Sequence, residues 1–263
     1  QKGTEKVLAD NYSVVRRTTA PQTVYVKSAL NRDDVIDITD FNYVDYQYKI
    51  DRMQLEKELA RAILIGDGRA ESADDKIYGE NIRPIWGDND AFTITKTIDI
   101  SGTSNGNNTA DNFGAGYLYA QAAEEALLDA RIDYRGSGAM DMFCDQAFFN
   151  KMLLAKDLNG RRLYNNANEL KAALDVQNIY PVPEFKNLTR TDDSGSTDVT
   201  YGLLAICVNL NDYAMGATKG GEITHFTDFD IDFNQLKSLL ETRVSGANTR
   251  ILSAIVLEEE VTA

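Results

Sequence analysis

The sequence predicts an α+β fold gathered around a single long helix, and three features of the pattern carry that prediction. Val44–Ile65 repeats its apolar residues at steps of three and four, the helical period. Thr23–Leu30 and Ala91–Ile100 instead alternate at strand period, and Tyr201–Leu210 is an apolar run of strand length. A second amphipathic helix, Gly116–Arg131, lies between the last two strands.

Taken in order, Gln1–Ala20 has little periodicity, although VLADNYSVVRR can form one strand of a hairpin. In Thr23–Leu30, Val24, Val26 and Ser28 face one way and Tyr25, Lys27 and Ala29 the other. Asn31–Phe41 is rich in Asp and leads into the long helix, with Asp40 or Asn42 as its N-cap. One helical row holds Tyr43, Tyr46, Ile50, Met53, Ala60 and Leu64, interrupted by Lys57; a second holds Tyr48, Leu55, Leu59, Ala62 and Ile63. Two rows predict burial on both flanks, one against a sheet and one against another layer. Arg52–Glu56 and Glu58–Arg61 are spaced to pair on the wet side, for about 0.2–0.5 kcal/mol each. Gly66-Asp67-Gly68 ends the helix, because Gly adopts the left-handed position without a Cβ clash. At 1.5 Å per residue its roughly 22 residues span about 33 Å.

Ala70–Trp86 reads as an irregular surface segment, and Ser101–Gly114 as a polar Gly/Asn linker. In Gly116–Arg131, Tyr119, Ala123, Leu127 and Ala130 share a face away from Glu124, Glu125 and Asp129. Ala139–Cys144 is a short buried strand. Asp145 caps a helix with Phe148, Phe149, Met152 and Leu153 on its buried stripe, closed by Asn159-Gly160. Asn168–Val176 is a short helix. Asn178–Phe185, with Pro181 and Pro183, suits an edge strand. Leu188–Asp198 is a turn-rich loop, and Ile251–Leu257 is a final strand after a bend at Gly246. Between them, NQLKSLLETR has helix propensity, with Leu236, Leu239 and Leu240 at helical spacing.

Charge narrows the function. The net charge is -14, which argues against the chain as a whole gripping nucleic acid, since phosphate binding needs a basic surface. The first 17 residues differ: Lys2, Lys6, Arg16 and Arg17 outnumber Glu5 and Asp10, so this segment is basic on an acidic body and suits either a contact with a neighbour or a flexible solvated terminus. Cys144 and Cys207 each sit in an apolar run and read as buried free thiols. No run of about 18 apolar residues suggests a membrane span, and no signal peptide is visible. The start at Gln1 without Met suggests processing or a longer product.

Candidate chemistry is thin. Asp228, Asp230 and Asp232 share one strand face and could hold a hard cation, but Phe233 and Leu239 occupy the positions where a calcium loop needs Gly and Glu. A solvated acidic face, with Phe229, Ile231 and Phe233 inward, is the plainer reading. His225 is the only histidine and has no ligand-spaced partner. No nucleophile elbow or phosphate loop occurs. Glu258-Glu259-Glu260 reads as a solvated tail. No cofactor is expected.

Three stretches carry a family resemblance: Asn31–Arg69 (NRDDVIDITDFNYVDYQYKIDRMQLEKELARAILIGDGR), Glu80–Trp86 (ENIRPIW) and Thr227–Ala254 (TDFDIDFNQLKSLLETRVSGANTRILSA). In this order they resemble the major capsid proteins of tailed double-stranded DNA phages. The resemblance implies the Hong Kong 97-like capsid fold: an E-loop, a peripheral (P) domain built on a long spine helix, and an axial (A) domain. On that mapping residues 1–30 are part of the E-loop and extended arm, and 31–100 the P domain with its spine at 44–65. Residues 101–222 form the A domain, and 223–263 the P-domain strands and C-terminal tail. The resemblance also implies a long strand, not a helix, over Phe233–Ser245, lying beside the spine.

Its functional implication is a shell of hexamers and pentamers enclosing double-stranded DNA without reading its sequence, assembled in the bacterial cytoplasm and carried in the virion head. Portal, scaffold, prohead protease and decoration proteins are implied partners. Lys2, Lys6, Arg16, Arg17, Glu56, Lys57, Arg61, Glu241 and Arg243 are the candidate subunit-interface residues. Some relatives crosslink Lys to Asn beside a Glu; Lys2 or Lys6, Asn234 and Glu241 are of the right types without matching that motif. The alternatives are an encapsulin-like compartment, which shares the fold, and an acidic metal-dependent enzyme using the three Asp residues.

Overall fold

The computed structural model describes residues 16–38, 40–98, 115–157, 159–192 and 198–261. The expected linker at 101–114, and Lys2 and Lys6, lie outside them. The elements run β1 (Gln22–Asn31), α1 (Arg32–Asp37), α2 (Tyr43–Leu64), β2 (Thr93–Ile98), α3 (Ala115–Asp133), β3 (Asp141–Cys144), α4 (Gln146–Leu154) and α5 (Ala167–Ala173). There follow β4 (Ile179–Pro181), β5 (Thr189–Asp192), β6 (Val199–Val208), β7 (Tyr213–Ala217), β8 (Thr224–Asp230), β9 (Gln235–Asn248) and β10 (Ala254–Glu260). Helices and strands segregate into an α+β arrangement with two sheets.

The first sheet is organised by β9. Its whole first half pairs with β1, antiparallel from Gln22↔Val244 to Asn31↔Gln235. Its other edge takes β8 along 235–241 and β7 along 244–248. The helix propensity of NQLKSLLETR is therefore overridden: hydrogen bonds on both edges and burial of one face outweigh an intrinsic preference of tenths of a kcal/mol per residue. Alternate residues Leu240, Thr242 and Val244 are buried, while Arg243 is exposed. Gly246 lies inside β9 and makes no bend there. A Cβ on it would come within 2.6 Å of the Tyr213 hydroxyl, so the strand tolerates no side chain at that point.

The long helix α2 begins one residue before its expected start. Asn42 caps it, its Oδ1 accepting from the Asp45 amide at 3.2 Å. Leu55 and Ala62 pack with Val24, Leu240 and Val244 of the first sheet. At the far end Leu64 joins a second core with Ile85, Ile206, Val208 and Val256. The helix thus ties one sheet to the other. Only one flank is buried, however. Tyr46, Met53 and Ala60, expected under another layer, are exposed, Met53 at 64%.

The second sheet has the order β2-β10-β6-β3-β4, with β5 also on β6. One face packs on α3, α4 and α5 through Ala123, Leu127, Phe148, Met152 and Leu170; the other meets the end of α2. β2 and β10 belong to this sheet, where they pair in parallel. Glu80–Trp86 is no surface segment either. Ile82 and Ile85 are buried, and the backbone bonds both ways: Gly246 N–H to Asn81 O and Arg83 N–H to Gly246 O, then Ile85 N–H to Ile63 O, each at 2.8–2.9 Å.

Smaller differences have local causes. The Asp-rich lead-in contains the short helix α1. Leu188–Asp198 contains β5, which satisfies an edge of β6. α4 ends at Leu154, before Asn159-Gly160, and Asp145 precedes it without a side-chain capping bond. β4 is an edge strand, as its prolines require. Cys144 and Cys207 are free and buried.

Candidate assembly surface

The candidate interface residues divide by what they already touch. Arg17 is held by its own subunit. Its guanidinium pairs with Asp88, donates to the Asn248 carbonyl at 3.1 Å, and lies 4.1 Å from the Phe92 ring centroid. Arg17 is thus held within its own subunit by an ion pair, a backbone hydrogen bond and an aromatic ring. Arg16, one residue earlier, is exposed.

On α2, Arg52 donates to Glu56 at 3.0 Å across one exposed turn. Lys57 pairs with Glu184 at 2.6 Å, and this hydrogen bond holds the Glu184 carboxyl below its usual range. Arg61 is half-buried beneath Gly68, its guanidinium 3.0 Å from where a Cβ on that glycine would sit. The Glu58–Arg61 pair expected on this turn is replaced by one to Arg69, which meets Glu58 at 2.9 Å, Asp67, and Asp75 at 3.2 Å. These contacts rigidify the helix end. The outer stripe of Tyr46 and Met53 stays open and apolar. Phe41 packs edge-on against Tyr46, with ring centroids 5.5 Å apart, and extends this stripe.

Glu241 and Arg243 lie on the β9 face opposite Leu240 and line an open concavity of about 220 Å³ with Thr23, Glu222 and Thr224. The structure brings these two together on the β9 face turned away from α2, which packs on the other face against Leu240 and Val244. Asn234, the last residue of the β8–β9 turn, and Glu241 of β9, the crosslink types, sit seven positions apart.

The acidic strand behaves as a structural element. Asp230 pairs with Lys237 across the β8–β9 ladder, and that hydrogen bond holds its carboxyl below the usual range. Asp228 accepts from the Phe229 amide. Among the described residues no group of three or more His, Cys, Asp or Glu could hold a metal ion. His225 instead bonds Ser238 at 2.9 Å and lies against Tyr48. Phe229, Ile231 and Phe233, expected inward, are exposed; Ile231 reaches 84% and Phe233 71%. The hairpin turn at 231–234 carries Ile231 and Phe233 beyond the sheet, while Phe229 lies within β8 opposite Leu236.

Two polar cores escaped sequence reasoning. Glu258, read as tail, is fully buried. It accepts from Trp86 Nε1 at 2.6 Å and from Arg190 through both oxygens at 2.7 and 2.8 Å. Its place directly after the apolar run AIVL was the available signal. Asp51 is buried on α2 and accepts from Ser28 at 2.6 Å and Gln47 at 2.8 Å, pinning the helix to β1. The i,i+4 spacing from Gln47 was visible, but the strand partner was not.

No family model matches the chain, and no curated protein does. Solved structures do. The capsid of an empty GTA particle superposes with a TM-score of 0.61 at 11% identity, covering 98% of this chain and 81% of that one. The capsid of Myoviridae phage XM1 gives 0.58 at 10% identity, covering 92% and 74%. A structure from Mycobacterium phage Ogopogo gives 0.56 at 13% identity, covering 97% and 83%. Identity this low carries the fold and nothing finer. Among the described residues no helix is long and apolar enough to cross a membrane. With its long helix, its two sheets and this extent of superposition, the chain has the Hong Kong 97-like fold of tailed-phage capsid proteins.

Proposed function

We propose that this chain is a major capsid protein, the repeating subunit of an icosahedral phage head built from hexamers and pentamers around double-stranded DNA. The single observation that carries this reading is the superposition of nearly the whole chain on capsids of assembled particles. The exposed stripe of α2 and the acidic charge support it: one offers apolar area for a neighbour, the other keeps the wall from gripping DNA. In this reading the first sheet and α2 form the P domain, the second sheet and its helices the A domain, and β1 is the base of the E-loop. Portal, scaffold, prohead protease and decoration proteins are its partners, the bacterial cytoplasm its place of assembly and the virion head its destination. The protein acts as a structural wall and not as an enzyme. Individually modest contacts, at about 25 cal/mol per Å² of apolar area, hold such a wall because they are repeated.

The test is negative-stain microscopy of the expressed chain, with nuclease protection of its contents. Closed shells that protect DNA when produced with the packaging genes are the expected result. Monomers under every condition would overturn the reading; shells that enclose protein cargo and never DNA would replace it with an encapsulin-like compartment.

A further inference from the structure

The end of the first sheet carries a plug and a hole side by side. The plug is the β8–β9 turn, which presents Ile231 and Phe233 to solvent as two of the most exposed large apolar side chains in the chain. The hole is an open concavity of about 320 Å³ lined by Arg32 and Val35 of α1, Phe229 of β8 and Leu236 of β9. The two are mechanically joined: Arg32 N–H donates to Asn234 O at 3.1 Å, and Gln235 Nε2 donates to Asn31 Oδ1 at 3.0 Å. The plug does not fill the hole beside it, since Ile231 stands free.

Charge points the same way. Asp232 stands between the two plug residues, and Arg32 forms the rim of the hole, its guanidinium 5.8 Å from the Phe229 ring centroid. Both are exposed, and neither has an ion pair among the described residues. Asp228 and Asp230 do not compete for Arg32, being engaged with the Phe229 amide and with Lys237. One subunit therefore displays an apolar tip with a spare anion and, next to it, an apolar socket with a spare cation. Within one subunit Ile231 and Phe233 stand outside the socket, which leaves both surfaces open to a second copy.

Resting on the shell reading above, we infer that the occupant of this socket is the β8–β9 turn of a second copy of this chain. Ile231 or Phe233 enters between Val35, Phe229 and Leu236, and Asp232 pairs with Arg32 of the receiving copy. Plug and socket are different surfaces, so the contact is head-to-tail. Each copy gives one tip and receives another, which closes into a ring under rotational symmetry. Burial of the aromatic and aliphatic tip supplies affinity, and the charge pair supplies register.

The test compares full-length wild type with Arg32→Glu, Asp232→Arg and the combined swap, all on exposed residues and all checked for native circular dichroism. Particle yield and sedimentation velocity are both measured. Each single reversal is expected to lower association about tenfold by placing like charges together or removing the pair. The combined swap is expected to restore it, because every tip then again meets an opposite charge. Single reversals that associate like wild type, or a combined swap that stays defective, would overturn the contact. Wild-type shells indifferent to these charges overturn this contact alone. Soluble oligomers that obey the charge swap but never close into shells uphold it and overturn the shell reading. A wild type that remains monomeric overturns both.

Discussion

Glu258 shows what a residue's sequence neighbourhood hides. Three consecutive glutamates read as tail, yet the first is sealed between Trp86 and Arg190, partners far away in sequence. Its bidentate pair with Arg190 raises the arginine's pKa, the hydrogen bond being the main cause. Arg190→Ala should destabilise the subunit by about 2 kcal/mol in a denaturant titration, less than the 3–5 of a fully buried pair because Arg190 is a third exposed. Gly246→Ala should cost about 1–3 kcal/mol in the same titration, since the new methyl meets the Tyr213 ring, which is anchored through its hydroxyl to Arg83 O. The cysteines behave as their apolar context suggests. Burial pushes Cys144 up to about 12 and Cys207 higher still, so both stay protonated thiols at pH 8. Iodoacetamide should leave the native chain unlabelled and modify both thiols once it is unfolded.

At the scale of elements, period was legible and partnership was not. The steps of three and four located α2 to within a residue, and Asn42 was one of its two candidate caps. Which flank is buried depends on what lies opposite, and that is decided by distant strands. Consequently Leu55→Asp should unfold the subunit, a buried unpaired charge costing several kcal/mol of a total near 5–15. Met53→Asp should instead leave circular dichroism and melting unchanged while lowering particle yield, because Met53 faces solvent in the lone subunit. Of α2's own charges, Glu56 and Lys57 already have partners within the subunit. In β9 the local signal pointed to a helix and the family resemblance to a strand; pairing on both edges decided for the strand.

For the whole molecule, the fold class was readable because strand and helix periods are distinct along the chain, but which strands pair with which was not. β2 and β10 look like neighbours of the spine in sequence order, whereas the structure pairs them in the second sheet, a non-local arrangement with no local mark. The same holds for surfaces. Composition reveals an acidic body; it does not reveal that the apolar tip at 231–233 points outward, because a hairpin turn and a buried strand end use the same residues. The central claim is that copies of this two-sheet subunit tile a closed wall. Cryo-electron microscopy of particles from the expressed full-length chain tests it most directly. The account predicts an icosahedral reconstruction into which the subunit fits with α2 lying along the wall and its Tyr46–Met53 stripe covered by a neighbour. Particles whose density excludes this subunit, or a chain that yields only dispersed monomers, would contradict it.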